Sequence, residues 1–166
     1  MTKRCNLDII ICATLEWIMV IDLRAVFSGD TSRLPLNEAI DLSAEEIDGG
    51  HPFKEPVMLT GEIKNSADVV KLDAVIKAAV TKPCDRCLAN TRKVYEIELK
   101  RVLLTDAQPD SDEYLPVPQY QLDLDELCRS EIVLNLPTLH LCSEDCRGIC
   151  PVCGQNLNER DCDCPK

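Results

Sequence analysis

The sequence predicts an α+β protein: an antiparallel β-meander, one short helix and a C-terminal segment of cysteine knuckles. Three observations predict it. Apolar and polar residues alternate through successive stretches between Val57 and Leu104, which is the period of a half-buried strand. Helical spacing replaces that period after Asp123. Six of the eleven cysteines fall in the last 25 residues, in pairs separated by one to three residues.

Taken in order, Val20-Ile21-Asp22-Leu23 reads as a short strand and Ser28-Gly29-Asp30 as a turn. Residues 31 to 56 carry Pro35, Pro52, Pro56 and Gly49-Gly50, with many acidic residues against one lysine, Lys54, and read as a loop-rich stretch with little regular structure. Val57, Leu59, Gly61 and Ile63 then alternate with Met58, Thr60, Glu62 and Lys64, and Asn65-Ser66-Ala67-Asp68 supplies a turn. Val70, Leu72, Ala74, Ile76, Ala78 and Val80 share one face of the next strand, with Lys71, Asp73 and Lys77 on the other. A third strand runs from about Lys93 to Leu104, with Tyr95, Ile97, Leu99 and Leu103 in phase. Sequential strands with short connections make an antiparallel meander. Residues 105 to 121 hold no basic residue, four acidic ones and three prolines, and read as an exposed linker or lid. The helix follows: Asp123 caps it, Glu126 sits three residues on, Leu124, Leu127, Cys128 and Ile132 form its apolar face, and Pro137 forbids continuation. Cys128 reads as a small hydrophobe on that face.

The chain is acidic, with 18 Lys plus Arg against 29 Asp plus Glu and a net charge of −11, which excludes a generic basic nucleic-acid binder. Aromatics are 4% against 45% apolar residues, so the core is built from Ile, Val, Leu and Ala, and the cysteines are the candidates for additional support. Near the start, Lys3 and Arg4 precede an apolar run that Asp8 and Glu16 confine to seven residues, too short for a membrane span and at the lower limit for a secretory leader. The expectation is a cytoplasmic protein with reduced thiols and no membrane partner.

Cys84-Asp85-Arg86-Cys87 lies between the second and third strands, where two thiolates in a turn form half of a tetrahedral metal site. A thioredoxin-like redox pair would need to open a helix, and no βαβ context is present. The tail carries Cys142, Cys146, Cys150, Cys153, Cys162 and Cys164. In Cys150-Pro151-Val152-Cys153-Gly154 the proline stiffens the turn and the glycine permits positive φ, so that backbone N–H groups face the sulfurs, as in a zinc-knuckle segment. Cys146, Cys150 and Cys153 have the spacing of a radical S-adenosylmethionine cluster motif, but thirteen residues after Cys153 cannot supply the barrel such an enzyme needs. An iron–sulfur cluster of another kind is the remaining alternative, since sulfur tetrahedra accept either metal. The economical pairing joins Cys84 and Cys87 to Cys142 and Cys146, and Cys150 and Cys153 to Cys162 and Cys164, for two structural zinc ions with no open position. His140 is an alternative ligand to Cys142, and His51 reads as a loop residue.

The order of Ile21-Asp22-Leu23, Pro52-Phe53-Lys54-Glu55-Pro56-Val57, Thr60-Gly61-Glu62-Ile63, Pro83-Cys84-Asp85-Arg86-Cys87-Leu88, Leu122-Asp123-Leu124-Asp125-Glu126-Leu127 and the cysteine tail closely resembles the YceD-like family, the large ribosomal RNA subunit accumulation proteins, from about Met19 to the end. That resemblance implies a part in accumulation of large-subunit (23S) ribosomal RNA in bacteria and plastids, and the bacterial genes often neighbour one for a large-subunit ribosomal protein. Family members usually begin near the position of Met19, which makes residues 1–18 an N-terminal extension. Residues 19–137 are then a β-rich body with its helix near 123–134, and residues 138–166 a cysteine-rich tail tied to the 84–87 turn. Some relatives lack the last four cysteines and keep the earlier four as Cys or His, which supports the pairing and makes the second site less essential.

The functional expectation is a non-enzymatic ribosome-biogenesis factor without a small-molecule substrate. Two histidines, no P-loop and no Ser-His-Asp order argue against an enzyme. A redox- or metal-responsive regulatory zinc protein is the alternative, and its thiols would be reactive with metal bound. Contact with precursor ribosomal RNA needs cations on one surface. Lys82, Arg86, Arg92, Lys93, Lys100 and Arg101 against Asp85, Glu96 and Glu98 give residues 82 to 101 a local +3. These six are the candidate RNA-binding residues. Otherwise they line a solvated hairpin, and the acidic body contacts a basic large-subunit ribosomal protein.

Overall fold

The computed structural model describes residues 18–47, 49–105 and 113–164. The expected N-terminal extension lies outside these, apart from Ile18. The described chain forms β1 (Val20–Asp22), α1 (Arg24–Phe27), β2 (Arg33–Ile40), β3 (Val57–Ser66), β4 (Val69–Pro83), β5 (Asn90–Leu104), β6 (Tyr114–Pro116), a 3₁₀ turn, β7 (Gln121–Asp123) and α2 (Leu124–Asn135).

A five-stranded sheet in the order β2-β3-β4-β5-β6 carries the molecule, and β1 pairs with β7 in a separate two-stranded sheet. Strands β2 to β5 are antiparallel neighbours, whereas β6 adds to β5 in parallel, so the sheet is mixed rather than a pure meander. Tyr114–Pro116, part of the expected linker, is therefore a strand. Register puts Leu36, Gly61, Ala74 and Leu99 in one row and Ile40 opposite Val57. These inward positions join Leu59, Ile63, Leu72, Ile76, Ile97 and Leu103 in the core.

The stretch 31 to 56, read as loop, contains the eight-residue strand β2. Leu34, Leu36 and Ile40 supply its core-facing side, but Pro35 and the acidic Glu38 obscure the alternation. Pro35 is tolerated because β2 is the edge of the sheet, where one side of the backbone needs no donor. Phe53, fully buried, bridges to Val80 and anchors the rest of that stretch.

At the β3–β4 hairpin, Ser66 pairs with Val69 across the two-residue loop Ala67-Asp68, both at positive φ (51° and 64°). This is the type I′ geometry that right-handed strand twist requires, built here without the usual Asn-Gly. Gly61 marks the closest approach of β3 to β4: a Cβ there would lie 2.2 Å from the Asp73 carbonyl oxygen.

Helix α2 begins where Asp123 accepts the Glu126 N–H (3.0 Å) and ends at Leu136, whose extended backbone precedes Pro137. Leu124, Leu127, Cys128 and Ile132 are buried against the sheet core. Each such aliphatic side chain contributes about 1.5–3 kcal/mol on burial. Cys128 is fully buried, and burial pushes its thiol up to about 12, as a small hydrophobe requires. Arg101 pairs with Glu131 (2.8 Å) where β5 meets α2, so both charges enter the interior together. No helix among the described residues is long and apolar enough to cross a membrane.

Candidate metal centres

The β4–β5 connection and the tail fold into two knuckles with the same backbone hydrogen bonds. In the first, the Cys84 N–H donates to Ala89 O (2.9 Å) and the Leu88 N–H to Cys84 O (2.9 Å). In the second, the Cys150 N–H donates to Gln155 O (2.8 Å) and the Gly154 N–H to Cys150 O (2.9 Å). The residue after the second cysteine must turn left-handed in both. Gly154 does so at φ 72°, and Leu88 does so at φ 60° despite its Cβ. Sequence reading identified this requirement at the glycine, but not that leucine meets it in the first knuckle.

The segment after α2 brings the tail to the first knuckle. The His140 N–H donates to Asp85 Oδ2 (2.6 Å) and the Asp85 N–H to His140 O (2.9 Å). The His140 ring is buried and occupied: Nδ1 lies 3.0 Å from the Tyr95 hydroxyl and Nε2 3.3 Å from Thr91 O. It anchors the segment, and Cys142 takes the place among the sulfurs.

Cys84, Cys87, Cys142 and Cys146 converge with all four Sγ atoms within 4.8 Å of one another, and Cys150, Cys153, Cys162 and Cys164 do the same. In the first set, Cys84 and Cys146 are 3.7 Å apart and Cys87 and Cys142 3.6 Å. A disulfide needs about 2.05 Å. Sulfurs at about 2.3 Å from a tetrahedral ion are instead about 3.8 Å apart. The spacing therefore fits a metal ion. The sets differ in exposure: Cys84, Cys87 and Cys146 are buried, whereas Cys153 is exposed and Cys162 and Cys164 are half-buried.

Electrostatics point the same way. Burial opposes ionisation of Cys84, but the N–H groups of Cys87, Arg86 and Cys142 outweigh it and lower the thiol to about 6. Ala89 N–H favours the Cys87 thiolate, yet burial and the neighbouring sulfurs hold that thiol up at about 12. In the second set the N–H groups of Cys153 and Val152 lower Cys150 to about 6, while its sulfur neighbours, Cys153 foremost, raise Cys164 to about 12. Four thiolates cannot share so small a volume without a cation to neutralise them.

The six candidate RNA-binding residues are not gathered on one surface. Successive residues of β5 point to opposite faces, so Arg92 and Lys100 lie on the exposed face while Lys93 and Arg101 are half-buried on the other. Most are also engaged. Arg92 forms a bidentate pair with Glu55 (2.7 and 2.9 Å), Lys100 meets Glu98 (3.3 Å), Arg101 is held by Glu131, and Arg86 donates to Cys146 O (3.2 Å). Lys82 has a partner as well, and Lys93 alone of the six has none among the described residues.

Residues 72–166, from within β4 through both cysteine sets, match the family described as large ribosomal RNA subunit accumulation protein YceD. The chain belongs to the YceD family. Among YceD relatives, it is 23% identical over 145 residues (69% of this chain, 45% of the relative) to the large ribosomal RNA subunit accumulation protein YCED homolog 1, chloroplastic, of Arabidopsis thaliana. It is also 27% identical over 100 residues (57% of this chain, 48% of the relative) to uncharacterized proteins of Mycobacterium tuberculosis and Mycobacterium bovis. The chain spans about half the length of these curated relatives. No solved structure gives a significant match.

Sequence reading missed Asp85 and Asn158. Asp85 could have been suspected as the polar residue inside a knuckle. Asn158, whose Nδ2 lies 3.3 Å from Cys146 Sγ, carries no sequence signal beyond lying between Cys153 and Cys162.

Proposed function

We propose that the protein is a non-enzymatic factor supporting accumulation of large-subunit ribosomal RNA, its fold held by two zinc ions. Cys84, Cys87, Cys142 and Cys146 hold one, and Cys150, Cys153, Cys162 and Cys164 the other. The observation that carries the reading is the closed character of both sets: each supplies four sulfurs, the full complement of a tetrahedral ion, leaving no position for water or substrate. Zinc supplies cross-linking charge at such a site, not Lewis-acid chemistry. Membership of the YceD family supplies the ribosomal context.

Contact with the precursor particle runs through a basic large-subunit ribosomal protein. The net charge of −11 and the prior engagement of Arg86, Arg92, Lys100 and Arg101 favour that route over direct phosphate neutralisation. The test is purification of the tagged protein from cells with RNase treatment before elution. Ribosomal proteins retained after RNase support the protein-mediated route. Their complete loss, with ribosomal RNA fragments left on the protein, would refute it.

A further inference from the structure

The two thiol sets are joined by one side chain. Asn158 belongs to the loop between Cys153 and Cys162 of the second set, yet its Nδ2 donates to Cys146 Sγ of the first (3.3 Å). Its other amide proton goes to Asn156 Oδ1 (2.9 Å), and its Oδ1 accepts the Arg147 N–H (2.7 Å). The loop that presents it is closed by the second set. Leu157 N–H donates to Gly148 O (2.9 Å), Ile149 bridges Asn156, and the Arg147 guanidinium pairs with Asp161, the neighbour of Cys162. Gly148, at φ 77°, lies where a Cβ would come within 3.1 Å of Arg86 O in the first knuckle, so the two units pack without slack.

We propose that Asn158 is a positioning residue for the first metal site, and that through it the second site, when occupied, tightens the first. An N–H directed at a ligating sulfur relieves part of the repulsion among four thiolates, and groups that orient and polarise ligands in this way change metal affinity by about ten- to a hundredfold. The amide is aimed at Cys146 only while the Cys153–Cys162 loop is closed, which is what an ion in the second set maintains. By linkage the first ion tightens the second by the same factor. The buried first set is therefore guarded by the exposed one: loss of the accessible ion loosens the structural ion. This rests on the metal-binding reading above.

The test uses the full chain with zinc alone, in four forms: unmodified, Asn158→Asp, the double substitution Cys162→Ser with Cys164→Ser, and all three changes combined. Affinity of the first set is measured by competition with a chromophoric chelator, and cobalt(II) substitution verifies four-sulfur coordination from its thiolate absorption. Asn158→Asp keeps the oxygen that accepts the Arg147 N–H, removes both amide donors and sets a carboxylate against Cys146 Sγ. The proposal expects first-site affinity to fall about tenfold or more, whereas a carboxylate acting on Cys146 independently of the second set would multiply its loss with that of the double serine form. Removing the second set weakens the first site by a similar factor, and the combined protein is no weaker than either. Unchanged affinity in Asn158→Asp, or a combined loss equal to the product of the two, would overturn the coupling while leaving two-site binding intact. An unmodified chain that takes up no ion would overturn both.

Discussion

Removing the first thiol set should destabilise the protein more than removing the second, and the difference follows from the lengths of chain each set closes. Cys87 and Cys142 are 55 residues apart, so the first set ties β4 and β5 to the chain beyond α2. In the chain-entropy treatment used for covalent cross-links, closing such a loop is worth about 4 kcal/mol. The second set closes only the short segment between Cys153 and Cys162, worth about 2.5 kcal/mol on the same basis. The pair Cys84→Ser with Cys87→Ser is therefore expected to lose about 1.5 kcal/mol more than the pair Cys162→Ser with Cys164→Ser. Burial enlarges the gap, because Cys84 is fully buried and a serine there leaves a hydroxyl in a dry site. The assay is urea unfolding at fixed free zinc, comparing midpoints at unchanged slope. Equal losses, or a greater loss from the second pair, would refute the view that the first set staples distant segments.

Three further outcomes test the fold. Gly61→Ala should destabilise by about 3 kcal/mol, since its Cβ would meet the β4 backbone with nothing flexible to give way, and thermal unfolding reads the loss. Ala67→Asn with Asp68→Gly should stabilise by about 1 kcal/mol by giving the type I′ hairpin residues that accept positive φ, measured in the same unfolding assay. Cys128→Ala should reduce sensitivity to alkali. The folded-state thiol is raised to about 12, so its stabilising effect is intact below the ordinary thiol range near 8.5–9 and is lost as pH rises from there toward 12. Wild type minus variant stability, followed by urea titration from pH 8 upward, should fall across that window, and a flat difference would contradict burial as the cause.

The strands β3, β4 and β5 were legible because each is buried on one face and writes its period of two directly into the sequence. Helix α2 was legible to its cap, since Asp123, Glu126 and Pro137 act locally. Strand β2 was not, because Pro35 and Glu38 interrupt a pattern whose meaning depends on edge position, which is a property of the assembled sheet. The parallel pairing of β6 is likewise a property of the assembled sheet, made by contacts with β5 that leave no local pattern in the sequence. Cysteine spacing divided the eight thiols correctly into two sets of four, since chelation is a short-range constraint on each knuckle and the tail supplies the remainder. The basic candidates show the limit of linear charge counting. A local +3 ignores that β5 alternates faces and that Glu55 and Glu131, distant in sequence, arrive opposite Arg92 and Arg101.

Native mass spectrometry of the full chain, with elemental analysis of the same sample, tests the two closed four-sulfur metal sites most directly. Two zinc ions per chain are expected, both retained without added metal and both lost after unfolding in acid. A protein that carries one ion, none, or iron in place of zinc would contradict the two-zinc reading.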